Sequence, residues 1–162
     1  MAEFGFAEVE SHFNEWNQFA GDFHRAIRDP EYGREMLART RRAEGAAFAA
    51  STLAGLARTD LDVANYYGAF PGCRLGLFDM YMVPGRNYDA LVAFRRMIDS
   101  GEQIAATGGR DETGLTACAA AAFERHTAAV LLSNFSGPAD RVRVNLNGLG
   151  LAPNSRVEQY LI

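Results

Sequence analysis

Glu15 is the residue of this chain best suited to chemistry on a small substrate. It stands in the run His12-Phe13-Asn14-Glu15-Trp16-Asn17, at the end of a short extended segment. Val9 to Glu15 alternates, with Val9, Ser11, Phe13 and Glu15 on one face and Glu10, His12 and Asn14 on the other. The carboxyl end of a parallel strand is where (β/α) barrels assemble their active sites. A carboxylate there can attack an anomeric carbon, provided a second carboxyl about 5–5.5 Å away protonates the leaving oxygen. Trp16 beside it would offer an apolar face to a sugar ring. The plainer reading is an exposed strand-end carboxylate next to a core tryptophan.

Tyr66 and Tyr67 end the next expected strand and would share a rim with Glu15, together with Asn17. A phenol there can hydrogen-bond a nucleophilic carboxylate or stack on a sugar. One core tyrosine and one rim tyrosine is the alternative. Asn65 could hydrogen-bond a ligand hydroxyl, and Phe78-Asp79-Met80-Tyr81 falls in the following loop, where it could border the same pocket. His12, His24 and His126 do not form a set, and no HExxH, CxxC or calcium-loop spacing occurs, so no metal and no cofactor is expected. Gly108-Gly109 lies between expected strands and reads as a hairpin turn, not a phosphate loop. No Gly-x-Ser-x-Gly elbow or Cys/His nucleophile pattern is present.

The elements that must position these residues alternate in type up to about Gly101. Phe19 to Asp29 reads as an irregular or weakly helical connection closed by Asp29-Pro30, and Pro30 followed by Glu31 suits a helix start. Residues 43–58 form a clearer helix: Ala46, Ala49, Ala50, Leu53, Leu56 and Ala57 recur at helical spacing, and Gly45 and Gly55 would permit close packing on a sheet. Val63 to Tyr67 is a compact strand and Leu75 to Asp79 another extended piece. Pro84-Gly85 then turns into a helix from about Tyr88 to Asp99, with Leu91, Phe94 and Ile98 on its apolar face. This is the pattern of parallel βα units. Two such units cannot close a barrel.

After Gly101 the texture is strand and turn. Candidate strands are Gln103–Thr107, Leu115–Glu124, Thr127–Phe135, Arg141–Leu146 and Arg156–Leu161. Ala117 to Ala122 is rich enough in alanine for a helix, but Leu115, Thr116 and Phe123 favour a strand. Val142, Val144 and Leu146 would face inward and Arg141, Arg143 and Asn145 outward. Turn chemistry at Gly108 to Asp111, Ser136-Gly137-Pro138 and Pro153-Asn154-Ser155 joins them. The expected organisation is α/β plus β: residues 1–101 as two βα units, and 102–162 as an incomplete antiparallel β-sandwich.

Composition narrows the partners. The 48% apolar and 22% charged content of the 162 residues suits a globular protein, and Arg39, Arg41 and Arg42 are balanced by Glu35 and Glu44. Nucleic acid and acidic membranes are therefore not expected partners. There is no stretch of about 20 apolar residues and no signal-peptide pattern at Met1 to Gly5. Cys73 and Cys118 show no metal spacing; they could pair, but two isolated thiols in a chain of this size are more often free and buried, which points to a reducing, cytoplasmic setting.

In order and spacing these segments resemble the C-terminal part of glycoside hydrolase family 39, the β-xylosidase and α-L-iduronidase group of clan A. Ser11 to Asn17 looks like the seventh barrel strand with its nucleophile, Glu44 to Phe48 like the helix after it, and Val63 to Tyr67 like the eighth strand. Gly76-Leu77-Phe78-Asp79 and then Tyr88 to Phe94 look like the segment leading into the last barrel helix. Ala129 to Ser136 is similar to a strand of the C-terminal sandwich. The resemblance implies the last two βα units of a (β/α)8 barrel followed by a sandwich. It also implies a carbohydrate substrate and Glu15 as nucleophile. The family's acid/base is a Glu in an Asn-Glu motif of the fourth strand, and no residue here corresponds to it.

Three readings follow. The chain is a fragment or split subunit of a retaining glycosidase, inactive alone and dependent on a missing N-terminal barrel segment. Alternatively, it is a non-catalytic carbohydrate-binding or interaction module built on the sandwich, which exposed aromatics on one face would favour. Phe123, Phe135 and Tyr160 are expected to pack inside instead. The third is a truncated product without activity of its own, prone to self-association through open strand edges.

Overall fold

The computed structural model describes residues 9–19, 21–70, 75–107, 114–135, 137–138 and 141–162. Cys73 and the whole of the Gly108 to Asp111 turn lie outside the described residues, as does Ser136.

Strand β1, His12–Trp16, opens the described chain and pairs in parallel with β2, Val63–Tyr66. Three helices make the crossover: α1 (Phe23–Arg28), α2 (Pro30–Arg41) and α3 (Ala43–Leu56). The β1–β2 register runs His12 to Val63 and Phe13 to Ala64, then slips to Trp16 opposite Tyr66. That irregularity interrupts the strict alternation expected through Glu15.

Helix α1 forms within the connection expected to be irregular or weakly helical. Asp22 caps it by accepting from the Arg25 amide at 3.1 Å, while the Tyr32 hydroxyl accepts from the Asp22 amide at 2.8 Å. The Arg25 guanidinium lies 4.3 Å from the centre of the Tyr32 ring, so this short helix is held from α2. Helix α2 starts at Pro30 as its sequence indicates, with the Asp29 carboxylate accepting from the Glu31 and Tyr32 amides. Between α2 and α3, a side chain at Gly45 would stand 1.7 Å from the Thr40 carbonyl oxygen. Gly45 therefore serves the junction between two helices and not packing on a sheet, and Gly55 faces open space.

Helix α4, Arg86–Asp99, begins two residues before the expected Tyr88. Its buried face is Ala90 and Met97 with Leu91 and Phe94 partly covered, and Ile98 is exposed at the edge. After it come β3 (Glu102–Ile104), β4 (Leu115–Ala122) and β5 (Thr127–Asn134), an antiparallel sheet with β4 in the centre. The alanine-rich segment is a strand because both its edges are taken: Glu102 to Ile104 pair with Ala121 to Ala119, and all of β4 pairs with β5. Thr116 to Ala121 are buried in succession, hence on both faces. Each buried methyl contributes only about 0.8 kcal/mol, so β4 depends on close approach. A side chain at Gly101 would meet the Ala121 carbonyl at 2.2 Å.

Helices α3 and α4 form a middle layer. One core cluster joins Trp16 to Ala46, Ala49, Ala50, Leu53 and Ala90, and a second joins Ala54 and Met97 to Cys118 and Ala120. Leu131 of β5 packs against both, so the hydrophobic core crosses Gly101. Side chains add polar ties: Ser133 donates to the Ala47 carbonyl at 2.6 Å, Thr116 to the Ser51 hydroxyl at 3.1 Å and Arg58 to the Ala117 carbonyl at 2.6 Å.

Residues 141–162 contain no strand among those described. The expected strands Arg141–Leu146 and Arg156–Leu161 have no ladder partner, and Val142, Val144, Leu146, Val157 and Leu161 are exposed. Their alternation is real, yet a strand exists only through hydrogen bonds to a neighbour. The sheets described have two and three strands; neither a closed barrel nor a second facing sheet occurs among the described residues. No helix among them is long and apolar enough to cross a membrane.

Candidate functional site

The carboxyl ends of β1 and β2 are clamped by a network of neutral polar groups. The Asn17 amide nitrogen donates to the Leu75 carbonyl at 2.8 Å and to the Tyr67 carbonyl. Its amide oxygen accepts from the Tyr66 hydroxyl at 2.9 Å and from the Gln18 backbone at 2.6 Å. The Tyr66 hydroxyl in turn accepts from the Asn87 side chain at 2.9 Å. Asn87 is 0% exposed, in the first turn of α4. One chain of hydrogen bonds thus joins both strand ends, the following loop and the last helix. The opposite ends are tied by Asp62, whose carboxylate accepts from the Ser11 amide at 2.7 Å and the Ser11 hydroxyl at 2.9 Å. The Ser11 amide is the leading cause that holds the Asp62 carboxyl below its ordinary value.

Trp16 points away from this rim into the helices. It is 5% exposed and meets Tyr66 edge-on, with ring centres 4.9 Å apart. Its indole nitrogen is buried without a partner among the described residues. Tyr66 packs against the same cluster. Trp16, Asn17 and Tyr66 are therefore occupied in packing and internal hydrogen bonds, leaving no free face toward solvent at Trp16.

Glu15 and Tyr67 are the two singled-out side chains that remain open. Glu15 is exposed and has no hydrogen bond or ion pair among the described residues. Tyr67 is 47% exposed, and its amide donates to the Trp16 carbonyl at 2.9 Å, which sets it beside the end of β1. Asn65 is exposed on β2. His12 contacts the Glu10 carboxylate at 3.0 Å, His24 lies on α1, and His126 takes a left-handed conformation (φ 51°) in the turn between β4 and β5. No group of three or more metal-ligating side chains occurs among the described residues.

Two supporting residues escaped the sequence reading. Asn87 had a signal: a polar residue just inside a helix start, two after Gly85, with an apolar face to follow. Gln18, buried and donating to Glu44 at 3.3 Å, had none. Glu44 is also held by both nitrogens of the Arg39 fork at 2.8 and 2.7 Å, which lowers its carboxyl below the ordinary value. Phe123 and Tyr160, expected inside, are 52% and 72% exposed, while Phe135 packs edge-on against Phe48.

No family model, curated protein or solved structure matches the chain.

Proposed function

We propose that this chain is the C-terminal portion of a retaining glycoside hydrolase acting on O-glycosidic bonds, of the family 39 β-xylosidase type. Glu15 is its nucleophile. The observation that carries the reading is the pairing of an open carboxylate with an open phenol, Glu15 and Tyr67, at the carboxyl ends of two adjacent parallel strands. The network below them would hold the rim rigid, which a nucleophile needs to meet an anomeric carbon in line. On this reading Asn17, Tyr66 and Trp16 support the sugar site from beneath, and Tyr67 contacts the sugar.

The same reading gives the chain only one of the two carboxyls that retention needs. By itself it binds no complete substrate and hydrolyses none. Its partner is a barrel segment bearing an Asn-Glu acid, which would cover the β1–β2 pair, where Phe13 is exposed. The free buried thiol of Cys118 suits a reducing, cytoplasmic setting.

The test is hydrolysis of an aryl β-xyloside by the chain alone and with a complementing barrel segment. The chain alone should stay at the uncatalysed rate. The assembly should be active and lose about a thousandfold or more in Glu15→Gln, with the variant's thermal midpoint unchanged. Activity that persists in Glu15→Gln would remove the nucleophile assignment.

A second reading is favoured by the exposure of Phe123 and Tyr160: a carbohydrate-binding module without catalysis. Retardation of the chain in xylan-containing gels, lost in Tyr160→Ala and Phe123→Ala but kept in Glu15→Gln, would select it.

A further inference from the structure

A cavity of about 940 Å³ opens between the C-terminal half of α2, the loop after β2 and the start of α4. None of Glu15, Trp16, Asn17, Tyr66 and Tyr67 lines it. Four arginines do: Arg34, Arg41, Arg42 and Arg86. Only two carboxylates face them, Asp79 and Asp89.

Both carboxylates are already engaged. Asp79 accepts from the amides of Tyr81 at 2.8 Å and Val83 at 2.9 Å and lies 3.8 Å from Arg41. Asp89 lies 4.0 Å from Arg86. Arg34 and Arg42 are exposed, and their side chains have no hydrogen bond or ion pair among the described residues. Arg41 donates to the Val83 carbonyl at 2.9 Å, yet its Nε is buried without an acceptor. The remaining wall is apolar, with Phe78, Met80 and Pro84 on the loop and Leu37 on α2.

Surplus arginines among an apolar lining match a small molecule that carries an oxyanion on an apolar body. Forked guanidinium donors favour planar or tetrahedral oxyanions over neutral groups. The volume is that of a small-molecule site. Two helix starts add to the field: Arg42 is the N-cap of α3 and Gly85 of α4, and neither supplies a side-chain cap, although the Asn87 amide oxygen accepts from the Tyr88 amide at 3.1 Å. The end of α2 opposes them, with Arg39 and Arg41 in its last turn.

We propose that this cavity is a binding site for a small organic oxyanion, a phosphate, sulfate or carboxylate, with Arg34 and Arg42 as its charge contacts. The site is independent of the glycosidase reading, because Glu15 takes no part in it.

The test is calorimetric titration of the full chain with phenyl phosphate, phenyl sulfate, benzoate and neutral phenol. At least one anionic probe should bind about tenfold more tightly than phenol. The best probe identifies which oxyanion the site prefers. Arg34→Gln and Arg42→Gln should each weaken that probe about tenfold, with circular dichroism unchanged, whereas Arg28→Gln, outside the cavity, should not. Binding of phenol equal to every anion would overturn the proposal. So would no binding of any anion up to about 10 mM, or affinity indifferent to Arg34 and Arg42.

Discussion

The two sheets of this protein are built on opposite principles. β3–β5 is small-sided and closed: its central strand has both edges paired and both faces buried, and its alanines let α3 and α4 approach closely. β1–β2 is large-sided and open. Trp16 and Tyr66 anchor one side to the helices, while Glu15, Asn14 and Asn65 are exposed. The difference teaches where chemistry can reside. The buried strand β4 carries one reactive group, the Cys118 thiol, and keeps it from solvent, whereas the parallel pair brings a carboxylate and a phenol to one rim and leaves them open.

Substitutions that break the comparison should show the largest effect at the helix junction both sheets share. Gly45→Ala improves helix propensity by about 1 kcal/mol but drives a methyl into the Thr40 carbonyl. The clash should win, with a net loss of about 3 kcal/mol and cooperative loss of both sheets in urea unfolding. A stability equal to or above the parent would show that the α2–α3 junction yields easily.

Asn87→Ala should be felt chiefly on the open side. It removes the donor to the Tyr66 hydroxyl from a fully buried position, at a cost of about 2 kcal/mol. Hydrogen exchange should then rise in β1 and β2 while β4 stays protected. An equal rise in β4 would mean that the two sheets open as one unit.

Acid should separate the regions more gently. Asp22, Asp29, Glu44 and Asp62 all have carboxyls held below their ordinary values, each chiefly by a hydrogen bond: from the Arg25, Tyr32 and Ser11 amides at the three aspartates, and from the Arg39 side chain at Glu44. Their folded forms favour the charged state, so the stability they add is present above the ordinary carboxylate value of about 4 and is lost as pH falls through the lowered values. The ties that stitch β4 and β5 to the helices use hydroxyls, a guanidinium and backbone carbonyls. Below about pH 4, amide signals of α1, α2 and the β1–β2 pair should broaden before those of β4. Simultaneous loss would contradict this division.

Much of the fold was legible because its signals are local. Pro30 after Asp29 marks a helix start by fixed φ and a ready cap, and Leu115 and Thr116 mark the alanine run as strand, whereas Phe123, expected within that strand, falls in the 3-10 turn Phe123–Arg125 beyond it. The strand-end position of Glu15 also follows from its surroundings in the chain. Other features depend on what stands opposite. Alternation in Arg141–Leu146 specifies faces but supplies no ladder partner, and Phe123 and Tyr160 carry no local mark of exposure. At α1, the Asp22 cap on the Arg25 amide is local, but the acceptor of the Asp22 amide, the Tyr32 hydroxyl, comes from α2.

The amino-acid sequence by itself determined the types and order of most elements, and that a carboxylate would stand near the carboxyl end of the first strand, because propensity, capping and turn chemistry act within a few residues. The tertiary structure decided which groups at that strand end are free. It sent Trp16 and Tyr66 into the helices, tied Asn17 to Asn87 through Tyr66 and left Glu15 and Tyr67 open. It also brought Arg86, distant in the chain, to the hollow lined by Arg34, Arg41 and Arg42. Burial and pairing depend on surfaces brought together from far apart, and no short stretch of sequence encodes what will face it.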